Sequence, residues 1–195
     1  MGAEDGKAWH QQQAPIAAAL AVDAKWSAES GDDELGCLIK EKTLDEQYLV
    51  CEYSEVSHRR AMLVDDGTTG ILYLHEPSDD AEKTGDVEGT SFAYNRVDPI
   101  DPKEVKRYRP GPPPIARGYS SKEAVCRTPE SHNWNLRFSS DGTAVLLIRD
   151  GKPWAMVSLD EPRGFSKAIE AQGPWGNPCS IKVYRSTDWE GRTRP

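Results

Sequence analysis

At 195 residues the chain has room for one sizeable core or two small ones, and 37% hydrophobic with 29% charged residues is the balance of a soluble globular protein. No apolar run approaches the length of a membrane span, and a net charge of −8 works against nucleic acid as the partner of the whole molecule. Fourteen prolines and sixteen glycines favour strands and turns over long helices.

The charge is unevenly spread. Residues 1–90 carry 20 acidic and 7 basic side chains, against 12 and 17 in residues 91–195, so an acidic half at −13 precedes a mildly basic one at +5. That asymmetry suits an electrostatically steered protein partner of basic character, although a solvated acidic surface is the commoner reason for such a composition. Cys37, Cys51, Cys126 and Cys179 are widely spaced with no Cys-x-x-Cys, which predicts reduced thiols and not a disulfide scaffold. The apolar run at 16–22 imitates a targeting signal, but it is short and Glu4 and Asp5 spoil the positive region such a signal needs. A cytoplasmic chain is the expectation.

In chain order, residues 1–14 are polar, lack periodicity and predict a frayed segment. Pro15 opens a short helix through Ala24, with a strand as the alternative, and Ser30-Gly31-Asp32-Asp33 is a loop. Residues 35–39 and 47–53 have the character of strands, separated by a charged helical turn at 40–46. Residues 60–64 and 71–74 flank Asp66-Gly67 as a hairpin, and 91–97 is a further strand. Between them the acidic stretch 77–89 reads as an exposed loop, with Asp79, Asp80 and Glu82 as candidate binding residues. Six prolines in 98–114 predict a polyproline II connector between an N-terminal lobe, 15–97, and a C-terminal lobe, 115–188. A helix or strand follows at 119–126.

The clearest pattern begins at Trp134. Residues 134–138 alternate apolar and polar, the period of a strand with one buried face. Residues 144–148 are apolar throughout, which suits a central strand covered on both sides. Asp150-Gly151 then supplies the turn that needs positive φ at both central residues, and 154–159 is the return strand. This meander cannot bury enough apolar surface alone, so the rest of the chain must pack on it. Beyond it come a turn at 161–164, a short helix at 165–171, a rigid aromatic loop at 173–178, a last strand at 181–184 and a basic mobile tail at 189–195. The expected fold is mainly β, a β-rich α+β arrangement. It consists of antiparallel sheets built from hairpins and a meander in two pseudo-equivalent lobes with a few short helices, one domain over 15–188.

The halves also echo one another. Leu63-Val64-Asp65-Asp66-Gly67 matches Leu147-Ile148-Arg149-Asp150-Gly151, Leu74-His75-Glu76-Pro77 matches Leu159-Asp160-Glu161-Pro162, and Cys51 before Ser57-His58 echoes Cys126 before Ser131-His132. Convergent turn chemistry explains these matches at least as well as duplication.

Chemistry has few footholds. Cys51, His58, Cys126 and His132 have the donor atoms of a tetrahedral zinc site, but their spacing is not that of compact finger motifs, and buried thiols with surface histidines are the ordinary outcome. Cys126 with His132 is the candidate pair for a thiol-dependent hydrolase, yet no glycine-built oxyanion turn adjoins Cys126, and Ser120-Ser121 lack the Gly-x-Ser-x-Gly frame. Arg107-x-x-Pro110-x-x-Pro113 has the form of an SH3 ligand, but in a proline-rich connector that form arises by chance. Trp154, Trp175 and Tyr184 are candidates to line a pocket between the lobes or anchor an interface, with Trp154 expected in the core and Trp175 exposed in its Gly/Pro loop. No cofactor motif is present. The leading expectation is a non-catalytic binding protein, of inhibitor or immunity type, whose acidic N-terminal lobe masks a basic protein. A metal- or thiol-dependent hydrolase and a small-ligand binder are the alternatives.

Overall fold

The computed structural model describes residues 49–80, 84–108 and 112–190, and the expectations for residues 1–48, for Glu82 and for 191–195 lie outside it. Two sheets form the body. The first is an antiparallel meander of β1 (Leu49–Tyr53), β2 (Arg60–Asp65), β3 (Thr69–His75) and β4 (Val87–Asn95), in that order. The second runs β5 (Trp134–Phe138), β6 (Ala144–Arg149), β7 (Lys152–Ser158), β8 (Phe165–Ser166) and β9 (Asn177–Pro178), antiparallel except for the last pair. The chain is therefore mainly β, and no helix among the described residues is long and apolar enough to cross a membrane.

Three apolar layers explain the continuous hydrophobic runs. Between the sheets lie Leu63, Leu72, Leu74, Phe138, Val145, Leu147 and Val157. The residues that alternate with them face outward and are covered in turn. Ile71, Tyr73 and Phe92 meet Ile100, Ile115, Ile169 and Trp175 outside the first sheet, while Ala144, Leu146 and Met156 meet Phe165 and Trp189 outside the second. A strand covered on both faces has no solvent side on which to place polar residues. Hence β3 is buried at every position and β6 at its first four.

The Asp150-Gly151 turn is as the sequence requires, with φ of 50° and 74° and Arg149 paired with Lys152. The hairpin at Asp66-Gly67 joins β2 to β3, the corresponding place in the first meander, but it is built differently. Only Gly67 has positive φ, and the Asp66 carboxylate accepts the amide N–H groups of Thr68 and Thr69. Cys51 lies within β1 whereas Cys126 precedes β5, so the Cys/His echo has no structural counterpart.

Several expectations need correcting. The segment at 181–184 is helical, α1 (Ile181–Ser186), because the Ser180 hydroxyl caps it by accepting Val183 N–H and Val183 and Tyr184 pack toward Trp189. Residues 165–171 form β8 and an irregular turn in place of a helix, since Ser166 Oγ takes the Ala168 N–H and Ala168 and Ile169 are buried. Trp189 is not part of a mobile tail: it is buried, bridges Ser139 and donates its indole N–H to Tyr184 O. Within 98–114, Pro102–Tyr108 is a 3-10 helix and not polyproline II, and Ile100 beside it packs under the first sheet.

Within the first sheet, the buried polar tie between the ends of β2 and β4 is Asp65. Its carboxylate is fully buried and accepts Tyr94 O–H at 2.7 Å, Arg96 Nε at 2.7 Å and Gly67 N–H at 2.8 Å. Burial and the adjacent carboxylate push the Tyr94 phenol far up, so it remains a donor. Tyr94→Phe removes one of these donors and leaves the buried charge short of a partner. It should lower unfolding stability by about 1–3 kcal/mol, read from the midpoint of a urea titration.

Candidate functional site

The cysteines and histidines singled out above lie in separate surroundings. Cys51 is buried on β1, where Arg60 Nη1 approaches its sulfur at 3.8 Å. His58 sits exposed in the β1–β2 turn with φ of 57°, its Nδ1 3.0 Å from the Tyr53 hydroxyl. Cys126 is buried behind β4, and its N–H is bonded to Asn95 O. Burial raises its thiol above the usual range, against the pull of Arg149, the Thr128 N–H and Arg96, so the nucleophilic thiolate is disfavoured.

His132 uses both ring nitrogens elsewhere. Arg149 Nη2 lies 2.7 Å from its Nε2, and because a guanidinium can only donate, Nε2 accepts and Nδ1–H donates to Asp150 at 2.7 Å. The Asn133 N–H and His132 hold the Asp150 carboxyl below its ordinary value. Arg149 also stacks over Trp154, 4.4 Å from the ring centroid. Neither nitrogen of His132 is directed to Cys126. Among the described residues no group of three His, Cys, Asp or Glu side chains is placed to hold a metal ion.

The aromatic candidates divide. Trp175 is 5% exposed, which corrects the expectation of an exposed anchor: its indole donates to Pro113 O at 3.2 Å and its ring lies tilted against Tyr119 with the centroids 5.0 Å apart. Trp154 is in the core, as expected, and donates to Ala93 O. Tyr184 is half-buried, and with Trp154, Met156, Phe165 and the exposed Cys179 it lines a small cleft on the outer side of the second sheet.

What the fold does assemble is a surface where three connections meet. The β1–β2 turn carries exposed Glu55 and Val56, the latter 62% exposed. On one side the β3–β4 connection, with Asp79 and Asp80, leans against this turn through Ser78 N–H to His58 O and Tyr53 O–H to Ser78 O. On the other, the β5–β6 turn packs so that a Cβ on Gly142 would run into the Ser57 side chain, and a φ of 68° also requires glycine there. Asp141 of that turn accepts Ser139 O–H and Thr143 N–H, which lowers its carboxyl below the usual range.

The segment after α1 closes the arrangement. Ser140 N–H donates to Asp188 O and Glu190 N–H to Phe138 O, which places Glu190 near Glu52 of β1. Burial, and then the charge of Glu190, raise the Glu52 carboxyl. Six carboxylates from five places in the chain, Glu52, Glu55, Asp79, Asp80, Asp141 and Glu190, are thus brought to the end of the molecule that also exposes Val56. Asp79 and Asp80 were legible in the sequence as loop acids. Glu52, Glu55, Val56 and Glu190 were not, because only the long-range adjacency of β1 and the C-terminal segment gathers them.

Comparison with protein-family models, curated proteins and solved structures gave no match.

Native-state labelling with a thiol reagent, followed by mass spectrometry of the peptides, should modify Cys179 before Cys126, by about tenfold or more in rate. For Glu52, whose folded-state value is raised, ionisation in the fold is unfavourable from pH 4.5 upward and is relieved as pH falls. Glu190→Gln should therefore leave stability at neutral pH unchanged or higher, within about 0.5 kcal/mol, and flatten its decline between pH 4.5 and the raised folded-state value in urea titrations.

Proposed function

We propose that the chain is a non-catalytic binding protein that presents this acidic end to a basic protein partner. The observation that carries the reading is the approach of Glu52 and Glu190, on separate elements, at the end of the molecule where the β1–β2 turn also exposes Val56. Like charges brought together reduce the stability of the isolated fold, and a cationic partner recovers that cost on binding. An exposed apolar residue on a surface that also carries charge is the kind of layout an interface uses, with an anchor and a polar rim. The β1–β2 turn that carries Val56 is braced on both sides, so little ordering is required when a partner docks.

The cytoplasm is the compartment we propose, because Cys126 and Cys179 are held as thiols. The hydrolase alternative is less well supported, because His132 is committed to Arg149 and Asp150 and so is not available as the base for Cys126.

The test compares the wild-type chain with a neutralised surface, Glu52→Gln, Glu55→Gln, Asp79→Asn and Glu190→Gln together, as baits in native lysate. A partner retained by the wild type at low ionic strength should be released by added salt. The variant should bind that partner about tenfold more weakly or worse. Equal retention by both baits, or capture indifferent to salt, would overturn the assignment.

A further inference from the structure

We propose that His75 is an acid-released staple holding together the two stems of the β3–β4 connection. The proposal concerns the fold itself and does not rest on the binding reading above.

His75 ends β3 and is 3% exposed, although its neighbours Glu76 and Pro77 are exposed to solvent. Its Nδ1 lies 2.9 Å from Gly85 O, and since a carbonyl only accepts, that nitrogen carries a proton in the neutral ring. One residue on, Glu76 N–H donates to Asp86 O at 2.8 Å. Gly85 packs so tightly that an added Cβ would lie 2.7 Å from Glu76 O, so the stems are in contact through their backbones. The β3–β4 ladder is irregular at this point: the register shifts between Leu74 and His75, which pairs with Val87. With the regular pairing interrupted, the imidazole becomes one of the few bonds that hold the stems together.

The surroundings oppose a second proton on the ring. From β2 the Arg60 guanidinium faces it, from the connection Asp86 does so, from β3 the Tyr73 ring lies 6.2 Å away, and β4 contributes the uncharged Val87. Burial lowers the proton affinity of His75 most. The Gly85 bond and Asp86 act in the other direction, and Arg60 adds to the lowering. The sign follows: the staple's full contribution is present above the ordinary histidine value of 6.5 and is lost as the pH falls below it. A protonated ring would still donate to Gly85. What it cannot keep is a buried position beside Arg60, so the ring leaves for solvent and the stems part.

The experiment follows two nuclear magnetic resonance signals on the full chain, the ring carbons of His75 and the exchange protection of the Glu76 amide, from about pH 7.5 to pH 5. Glu76 protection, corrected for the intrinsic rate, should fall about tenfold, with the midpoint of the His75 titration, while the β6 amides stay protected. His75→Gln retains a side-chain N–H donor without a titration in this range, and its Glu76 protection should be independent of pH. If His75 titrates without any change at Glu76, or Glu76 loses protection equally in His75→Gln, the staple is disproved. Should His75→Gln fail to fold, the wild-type curves decide alone, since separate midpoints exclude the mechanism. No partner enters either readout, so a failed binding assay leaves this result standing.

Discussion

Four consecutive residues, Ala93 to Arg96 at the end of β4 and just beyond it, hold the molecule together through polar groups that are buried or, for Arg96, partly buried. Ala93 gives its carbonyl to the indole of Trp154 in the second sheet. Tyr94 and Arg96 donate to the buried Asp65, and Arg96 also reaches Glu130 at 3.6 Å. Asn95, fully buried, bonds with both side-chain atoms to Ile115, while its backbone binds Ala124 and Cys126. Buried polar groups are tolerated only when their partners are in place. The two sheets, the segment that covers the first of them and the approach to β5 must therefore all dock on this stretch before the whole of it is satisfied.

This arrangement divides the molecule by polarity. At the end where β2 and β4 finish, charges are matched: Asp65 with Arg96, Asp150 with His132 and Arg149, and Arg149 stacked on Trp154. At the other end, where the β1–β2, β3–β4 and β5–β6 connections lie, Arg59 is taken up by Glu88 at 2.7 Å and the carboxylates of Glu52 and Glu190 oppose one another. The same fold thus builds a closed, self-satisfied end and an end with an excess of negative charge. The second also exposes a large apolar side chain, Val56.

Much of the β framework was legible in the sequence because local physics specifies it. Alternation defines β5, a run with no polar position defines β6, and Asp150-Gly151 selects a turn that its φ values confirm. Where the reading failed, the deciding contact was remote. The β-branched residues of 181–184 suggested a strand, but Ser180 caps a helix there whose packing partner is Trp189. Trp175 sits in a loop rich in glycine and proline that looks exposed, yet Pro113, 62 residues earlier, accepts its indole. The acidic end followed the same rule. Its loop aspartates could be read locally, but the meeting of Glu52 with Glu190 depends on a strand edge and a C-terminal segment that no short window relates.

The shared middle layer also sets the order of assembly. Each meander is a chain of neighbouring hairpins that can zip locally, but the bonds that unite them, Ser91 to Phe165 and Trp154 to Ala93, span 74 and 61 residues. Closing such loops costs entropy before any contact compensates for it. Until they close, Leu72, Leu147 and Val157 face water from both half-formed sheets. During refolding the exposed apolar layer is thus the species at risk of sticking to other chains, and the rate at which the halves find each other governs yield.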